Sequence, residues 1–296
     1  MMLSPVSCTP FPVSCPYGCQ CFTPVQVLCT DEQMKSLPKN TSRQVKDFII
    51  MTSAVQYLFP RTLEGSPQLT KLIFLNNELQ SIHSRSFEHL TELQELEIRT
   101  FSKFHTVLPG MFDSLKQLET LQMKGNIISD LPAFLFLSLR KLRQLYLSDN
   151  QLESLPEELF DYFIWQYTVR LHGNPWKCDC HMWYLHDWVL ANSKNVEMLD
   201  RVVCQSPDFL RRQTVMSINK DQLVCHLSKD EMPDLSTCSL QTSNGTMIIK
   251  CKVDKCSPLM VKVQFQEDSG TIEEHIVKNE YEPSQCRNET LIKTPV

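Results

Sequence analysis

Thirteen cysteines, eight histidines and a few closely spaced carboxylates are the residues of this chain that could do chemistry. His89 and Glu92 stand in H-L-T-E, and H-x-x-E is a spacing that can hold a zinc ion. Two ligands without a convincing third do not make a zinc site. His172, His181 and His186 sit near cysteines and invite a metal reading too; His186 falls on an amphipathic segment where a plain surface position is expected. The glycines at 18, 65, 110, 125, 173, 245 and 270 are too scattered for a G-x-G-x-x-G turn or a phosphate loop. G-x-S-x-G is also missing. The sequence therefore predicts no catalytic residue, no metal ligand and no cofactor.

What decides against His89 and Glu92 is the element that would carry them. From Val45 to Asn174 the chain repeats with a period near 24 residues, with phases starting at 45, 69, 93, 118, 142 and 166. One line reads Leu69, Leu72, Phe74, Asn77, Leu79, Ile82, Phe87, Leu90. Another reads Leu118, Leu121, Met123, Asn126, Ile128, Leu131, Phe136, Leu139. A third reads Leu142, Leu145, Leu147, Asn150, Leu152, Leu155, Phe160. This is L-x-x-L-x-L-x-x-N-x-L, the leucine-rich repeat. In that register His89 and Glu92 occupy variable slots in the turn between repeats, beside the buried Leu90 and Leu93. A solvated turn is the better reading.

Each L-x-L segment predicts a short strand with one side chain in and the next out. A single repeat cannot cover its own apolar side, so neighbours must stack into a curved solenoid. The fold class expected is α/β: a leucine-rich-repeat horseshoe with cysteine caps at both ends and a small C-terminal β module. Asn77, Asn126, Asn150 and Asn174 should form a ladder that satisfies the turning backbone. Ser53 and Phe101 interrupt it, and the 25-residue line from Leu93 predicts a distortion near Phe101 to His105.

The outward strand positions are the candidate protein-binding residues: Ile49, Met51, Ile73, Leu75, Glu95, Glu97, Arg99, Gln122, Lys124, Tyr146 and Arg170. Ser148, Asp149, His172 and Gly173 fall in the same outward slots. Ile49, Met51, Ile73 and Leu75 predict an apolar patch where none is required, and such patches often mark interaction sites. The competing reading is that the N-terminal cap folds over them.

Composition narrows the classes further. The net charge is −5 with no long basic block, so nucleic-acid binding has no electrostatic basis. No apolar run in the sequence approaches 18 residues, so no membrane span is expected. The cysteines cluster at the two ends and are absent from 30 to 177. That placement predicts disulfide staples in an oxidised, secreted protein. Residues 1–14 do not read as a complete signal peptide and are expected to be leader or unstructured. Asn40, Asn244 and Asn288 stand in N-x-[ST] sequons and are expected glycan acceptors.

Four domains are expected beyond that segment. Residues 15–44 form an N-terminal cap around Cys15, Cys19, Cys21 and Cys29; zinc is the competing reading, against which all four lie too close together. Residues 45–174 are the repeats. Residues 175–227 form a second cap around Cys178, Cys180, Cys204 and Cys225, with Asp179 capping a helix whose Met182, Leu185 and Val189 share a face. Trp176, Trp183 and Trp188 should pack that cap. Residues 228–296 alternate as strands, Val261, Val263 and Phe265 against Lys262, Gln264 and Gln266. A two-residue turn at Asn244-Gly245 would oppose Cys238 to Cys251 at disulfide distance. Cys256 would then pair with Cys286, the other two connectivities remaining open. Cys8 is left over.

The stretches C-P-Y-G-C-Q-C-F at 15–22, L-C-T-D-E at 28–32, L-T-K-L-I-F-L-N at 69–76, L-H-G-N-P-W-K-C-D-C-H at 171–181 and Q-L-V-C at 222–225 carry a family resemblance. With the four-cysteine tail, the chain resembles the regulatory, non-catalytic subunits of carboxypeptidase N among extracellular leucine-rich-repeat proteins. That family carries roughly twice as many repeats. The resemblance implies Cys15–Cys21, Cys19–Cys29, Cys178–Cys204 and Cys180–Cys225 disulfides. It implies a secreted plasma glycoprotein that binds and stabilises a catalytic zinc carboxypeptidase subunit and does no chemistry itself. The alternative is a secreted repeat protein with another ligand, a growth-factor binder or a phospholipase inhibitor like leucine-rich alpha-2-glycoprotein. A cryptic metallopeptidase is the third reading, and it lacks a ligand.

Overall fold

The computed structural model describes residues 15–39, 41–99, 103–164 and 166–225, and the backbone of strands 239–243, 246–252, 259–266, 272–279 and 289–295. The chain divides into two compact units, 1–223 and 224–296.

In the first unit each leucine-rich line supplies one strand to the main sheet, and strands from the two flanking segments extend it at either end. The strands are β1 (Cys19–Thr23), β2 (Gln26–Cys29), β3 (Asp47–Met51), β4 (Lys71–Leu75) and β5 (Glu95–Arg99). They continue as β6 (Thr120–Gln122), β7 (Gln144–Tyr146), β8 (Thr168–Arg170) and β9 (Val196–Glu197). They form a nine-stranded sheet in sequence order. β1 and β2 are an antiparallel hairpin; from β2 onward the pairings are parallel. Parallel neighbours need a crossover, and each repeat's turn-rich return limb provides it.

The inward residues of the strands, Leu72, Phe74, Leu96, Ile98, Leu121 and Leu145, are all at most 1 % exposed. Behind them runs an aromatic file. Phe87 stacks on Phe112 at 6.4 Å between ring centroids, and Phe136 stacks on Phe160 at the same spacing. Phe160 then meets Trp188 of the cap at 4.6 Å. Continuous burial of this kind is how a stack of individually unstable repeats gains a core.

The asparagine ladder ties each turn to the one before. Asn150 Nδ2 donates to Met123 O and Leu147 O at 2.9 and 3.0 Å, and its Oδ1 accepts from Ile128 N. Asn174 repeats this on Leu147 O, Leu171 O and Leu152 N. Asn126 donates to Ile98 O and Met123 O. Asn77 donates to Ile50 O and accepts from both the backbone N–H and the hydroxyl of Ser53. Ser53 therefore does not break the ladder; it donates into it. Residues 100–102, including Phe101, lie outside the described residues. Beyond them Phe104 is fully buried and its carbonyl accepts from Ile127 N.

The residue before each Asn or its equivalent turns with positive φ: Thr52, Asn76, Gly125, Asp149 and Gly173. At Gly173 a β-carbon would lie 2.2 Å from Asp149 Oδ1, so a larger residue there would have to displace that carboxylate as well as hold the strained backbone angle.

Disulfides join Cys15 to Cys21, Cys19 to Cys29 and Cys178 to Cys204. Cys180 and Cys225 are also disulfide-bonded. In the second cap Asp179 accepts from His181 N at the start of a 3-10 turn that leads into α1 (Trp183–Ala191). Two expectations need correcting. His186 is not surface: it is 3 % exposed, with Nε2 2.9 Å from Ile218 O. Its apolar neighbours on α1 carry it inward, and the carbonyl satisfies the ring. Trp183 is not packed away: it is 39 % exposed, with its indole N–H donating to Leu223 O.

The second unit contains β10 (Ser239–Ser243), β11 (Thr246–Lys252), β12 (Leu259–Gln266), β13 (Ile272–Asn279) and β14 (Glu289–Pro295). β11 lies between β10 and β14, and β12 pairs with β13, all antiparallel. β10 and β11 pair from Ser239 with Lys250 to Ser243 with Thr246, the register of a two-residue connection. Cys238, Cys256, Cys286 and Asn244-Gly245 lie outside the described residues, as do Asn40, Asn288, Cys8 and residues 1–14.

Candidate binding face

The outward side chains of the sheet form rows, because parallel strands keep equivalent positions opposite one another. One row runs Leu28, Ile49, Ile73, Glu97, Gln122, Tyr146, Arg170, Glu197. It joins eight strands and is the backbone of the candidate site.

Not every member of the row is open. Ile73 is only 7 % exposed, Glu97 5 % and Tyr146 8 %, against the expectation that they face solvent. The reason is geometric. Strands are about 4.8 Å apart, so a large outward side chain between two large neighbours is covered by them. Ile73 lies between Ile49 and Glu97. Tyr146 lies under Arg170, whose guanidinium carbon is 4.0 Å from the ring centroid. Ser148 and His172, in the seventh-position row, are buried too. Ile49, Met51 and Leu75 remain half-buried and available. The described part of the N-terminal cap does not fold across them: β2 pairs beside β3 and adds Leu28 to the patch.

From Glu95 onward the face is polar and internally bonded. Lys71 Nζ is 2.8 Å from Glu95. Glu97 receives Gln122 Nε2 at 2.9 Å and lies 2.6 Å from Arg99 Nη2. Burial pushes the Glu97 carboxyl above the usual carboxylate range; Glu95 adds to this, and Arg99 pulls the other way. Arg170 is held between the Tyr146 ring and Glu197, whose carboxylate is 2.5 Å from Nε. Lys124 lies 3.9 Å from Asp149. Burial lowers the pKa of His172, reinforced by Arg201, Lys124 and Arg170 and opposed by Asp149.

Glu197 is a member of the row that the sequence does not reveal. It follows the last repeat, in a cap with no periodicity to assign it to the sheet. The one available signal is the apolar-then-acidic pair Val196-Glu197, too short to read as a strand.

The metal candidates do not assemble. His89 is exposed and 3.3 Å from Glu88, while Glu92 is exposed in the following turn. Asp179 and His181 are in contact at 3.1 Å with Cys180 beside them. A sulfur already in a disulfide offers a cation no thiolate, so that group reduces to one carboxylate and one imidazole. Among the described residues no helix is long and apolar enough to cross a membrane.

The leucine rich repeat family model matches residues 67–128, 100–152 and 116–163. Human carboxypeptidase N subunit 2 is 30 % identical over 126 residues, 35 % of this chain and 23 % of that protein. The rat leucine-rich repeat transmembrane protein FLRT2 is 27 % identical over 206 residues, 68 % of this chain and 30 % of that protein. The matches thus span under a third of either relative. A crystal structure of human trophoblast glycoprotein superposes with a TM-score of 0.49 at 19 % identity, covering 73 % of this chain and all of that one. Residues 67–163 carry leucine-rich repeats, and the parallel sheet to which they contribute is a leucine-rich-repeat fold.

Proposed function

We propose that this chain is a non-catalytic, secreted binding protein whose outward sheet face seats a protein partner. The observation that carries the reading is the apolar end of that face. Leu28, Ile49, Met51 and Leu75 are partly open, adjacent across strands, and uncovered by the described cap. Contiguous open apolar surface is costly unless something covers it. Arg170, stacked on the buried Tyr146 ring, adds a residue type enriched among interface hot spots.

The partner favoured is a catalytic carboxypeptidase N subunit, by similarity to subunit 2 of that enzyme. The short span of that similarity, 23 % of the relative, favours as second reading a different protein ligand. In either case the tail is a β module with Cys238–Cys251 and Cys256–Cys286 bonds, and Asn40, Asn244 and Asn288 carry glycans. The test is binding of the purified chain to a catalytic carboxypeptidase N subunit by surface plasmon resonance. Binding should weaken in Ile49→Ser/Leu75→Ser while the melting temperature holds within a few degrees. Unchanged binding in that variant overturns the face. Absence of binding by the parent chain overturns the partner.

A further inference from the structure

The repeats starting at 118 and 142 and the second cap line an open cleft of about 420 Å³. None of its lining residues belongs to a strand of the nine-stranded sheet, so it is separate from the face described above.

Its chemistry is one-sided. Leu155 and Pro156 give it an aliphatic wall, and Trp183 and Tyr184 give it two rings. The polar handles of both rings are engaged. The Tyr184 hydroxyl accepts from Phe160 N at 2.8 Å and donates to Asp161 Oδ1 at 2.9 Å; the Trp183 N–H donates to Leu223 O. What the rings add to the cleft is therefore carbon and π surface. Asp130 and Glu157 line it as exposed carboxylates. Its one basic residue, His181, already lies 3.1 Å from Asp179, and its described lining holds no Lys or Arg.

Carboxylates at the edge of an aromatic and aliphatic wall fit one kind of group: an alkyl arm ending in a positive charge. The same cap already uses this pairing, with Lys220 Nζ 5.7 Å from the Trp183 centroid. Lys220 is itself 2.6 Å from Asp187, so it sets little net positive charge against a second cation.

We infer that the cleft accepts an arginine or lysine side chain of a polypeptide partner. The arm lies along Leu155, Pro156 and the rings, and the head reaches Asp130 and Glu157. This binding is additional to the sheet face and does not depend on it.

The test is calorimetric titration of the full chain with N-acetyl-arginine methylamide, the lysine equivalent, the neutral isostere N-acetyl-citrulline methylamide, and spermidine. The basic peptide probes should saturate, with the citrulline probe at least about tenfold weaker. Asp130→Asn/Glu157→Gln, at two exposed positions, should lose about tenfold in affinity for them at unchanged melting temperature. Equal binding of citrulline, an unaffected double variant, or no saturable binding overturns the assignment. Tighter binding of spermidine than of either peptide probe gives the cleft to free amines and overturns the side-chain reading.

Discussion

The two ends of the outward face belong to one sheet over one shared floor, yet they carry opposite chemistry. At the β2–β4 end, Leu28, Ile49, Met51 and Leu75 offer carbon and only local polar contacts. At the β5–β9 end, Glu97, Gln122, Arg99, Tyr146, Arg170 and Glu197 are already bonded to one another. Polar groups already paired with one another gain little by exchanging those pairs for a partner's groups. A face of half-buried aliphatics gains by being covered. The comparison places affinity at the first end and orientation and specificity at the second, where charges fix which partners can approach.

The shared floor is the first thing to break. Leu72→Ala and Leu121→Ala lie under opposite ends, and both side chains are fully buried. Each should cost about 2–5 kcal/mol in urea unfolding, by lost burial and a residual cavity. If either variant unfolds in two separate transitions, the two ends do not stand on one cooperative core.

Next comes the contrast within the apolar end. Ile73→Ser removes a side chain 7 % exposed and should cost about 1.5–3 kcal/mol, whereas Leu75→Ser should cost about 1 kcal/mol or less. Equal costs in urea unfolding would mean that Leu75 supports the fold as much as Ile73 does and is not free for a partner. At the polar end, Arg170→Ala should cost about 1 kcal/mol by the same measurement, because the Tyr146 contact and the Glu197 pair are partly solvent-screened.

The smallest effect is a pH dependence confined to the polar end. The folded-state pKa of His172 lies below its ordinary 6.5. Above that value the ring is neutral in both states and contributes nothing. As pH falls through about 6.5 the unfolded chain binds a proton that the folded chain refuses, so stability declines. His172→Gln should therefore lose less stability than the parent between about pH 7.5 and 5.5. Parallel curves for the two proteins would remove His172 as the source.

Much of this fold is legible in the leucine spacing. The period assigns Leu72, Leu121 and Leu145 to the interior and Asn77, Asn126, Asn150 and Asn174 to the ladder, because both roles repeat at fixed intervals in the chain. What the period cannot show is lateral crowding. Ile73, Glu97, Tyr146 and Ser148 sit in outward slots, and their burial depends on which side chains stand beside them one repeat away. His186 and Trp183 exchange expected roles for a related reason: the cap has no repeat, so one histidine and one tryptophan on a short helix give no sign of which faces in. The cleft is invisible in the sequence for the same cause, since it gathers residues from two repeats and a cap.

The hairpin at the start of the sheet has a further consequence. A row of parallel strands is an open-ended template, and either end could recruit the strand of another molecule. Here the first edge strand is turned antiparallel and tied across the hairpin by Cys19 and Cys29, and the last is the two-residue β9. Both ends are poor seeds for addition. A chain built by adding like to like thus carries its own terminators, which keep a repeating architecture from becoming a polymer.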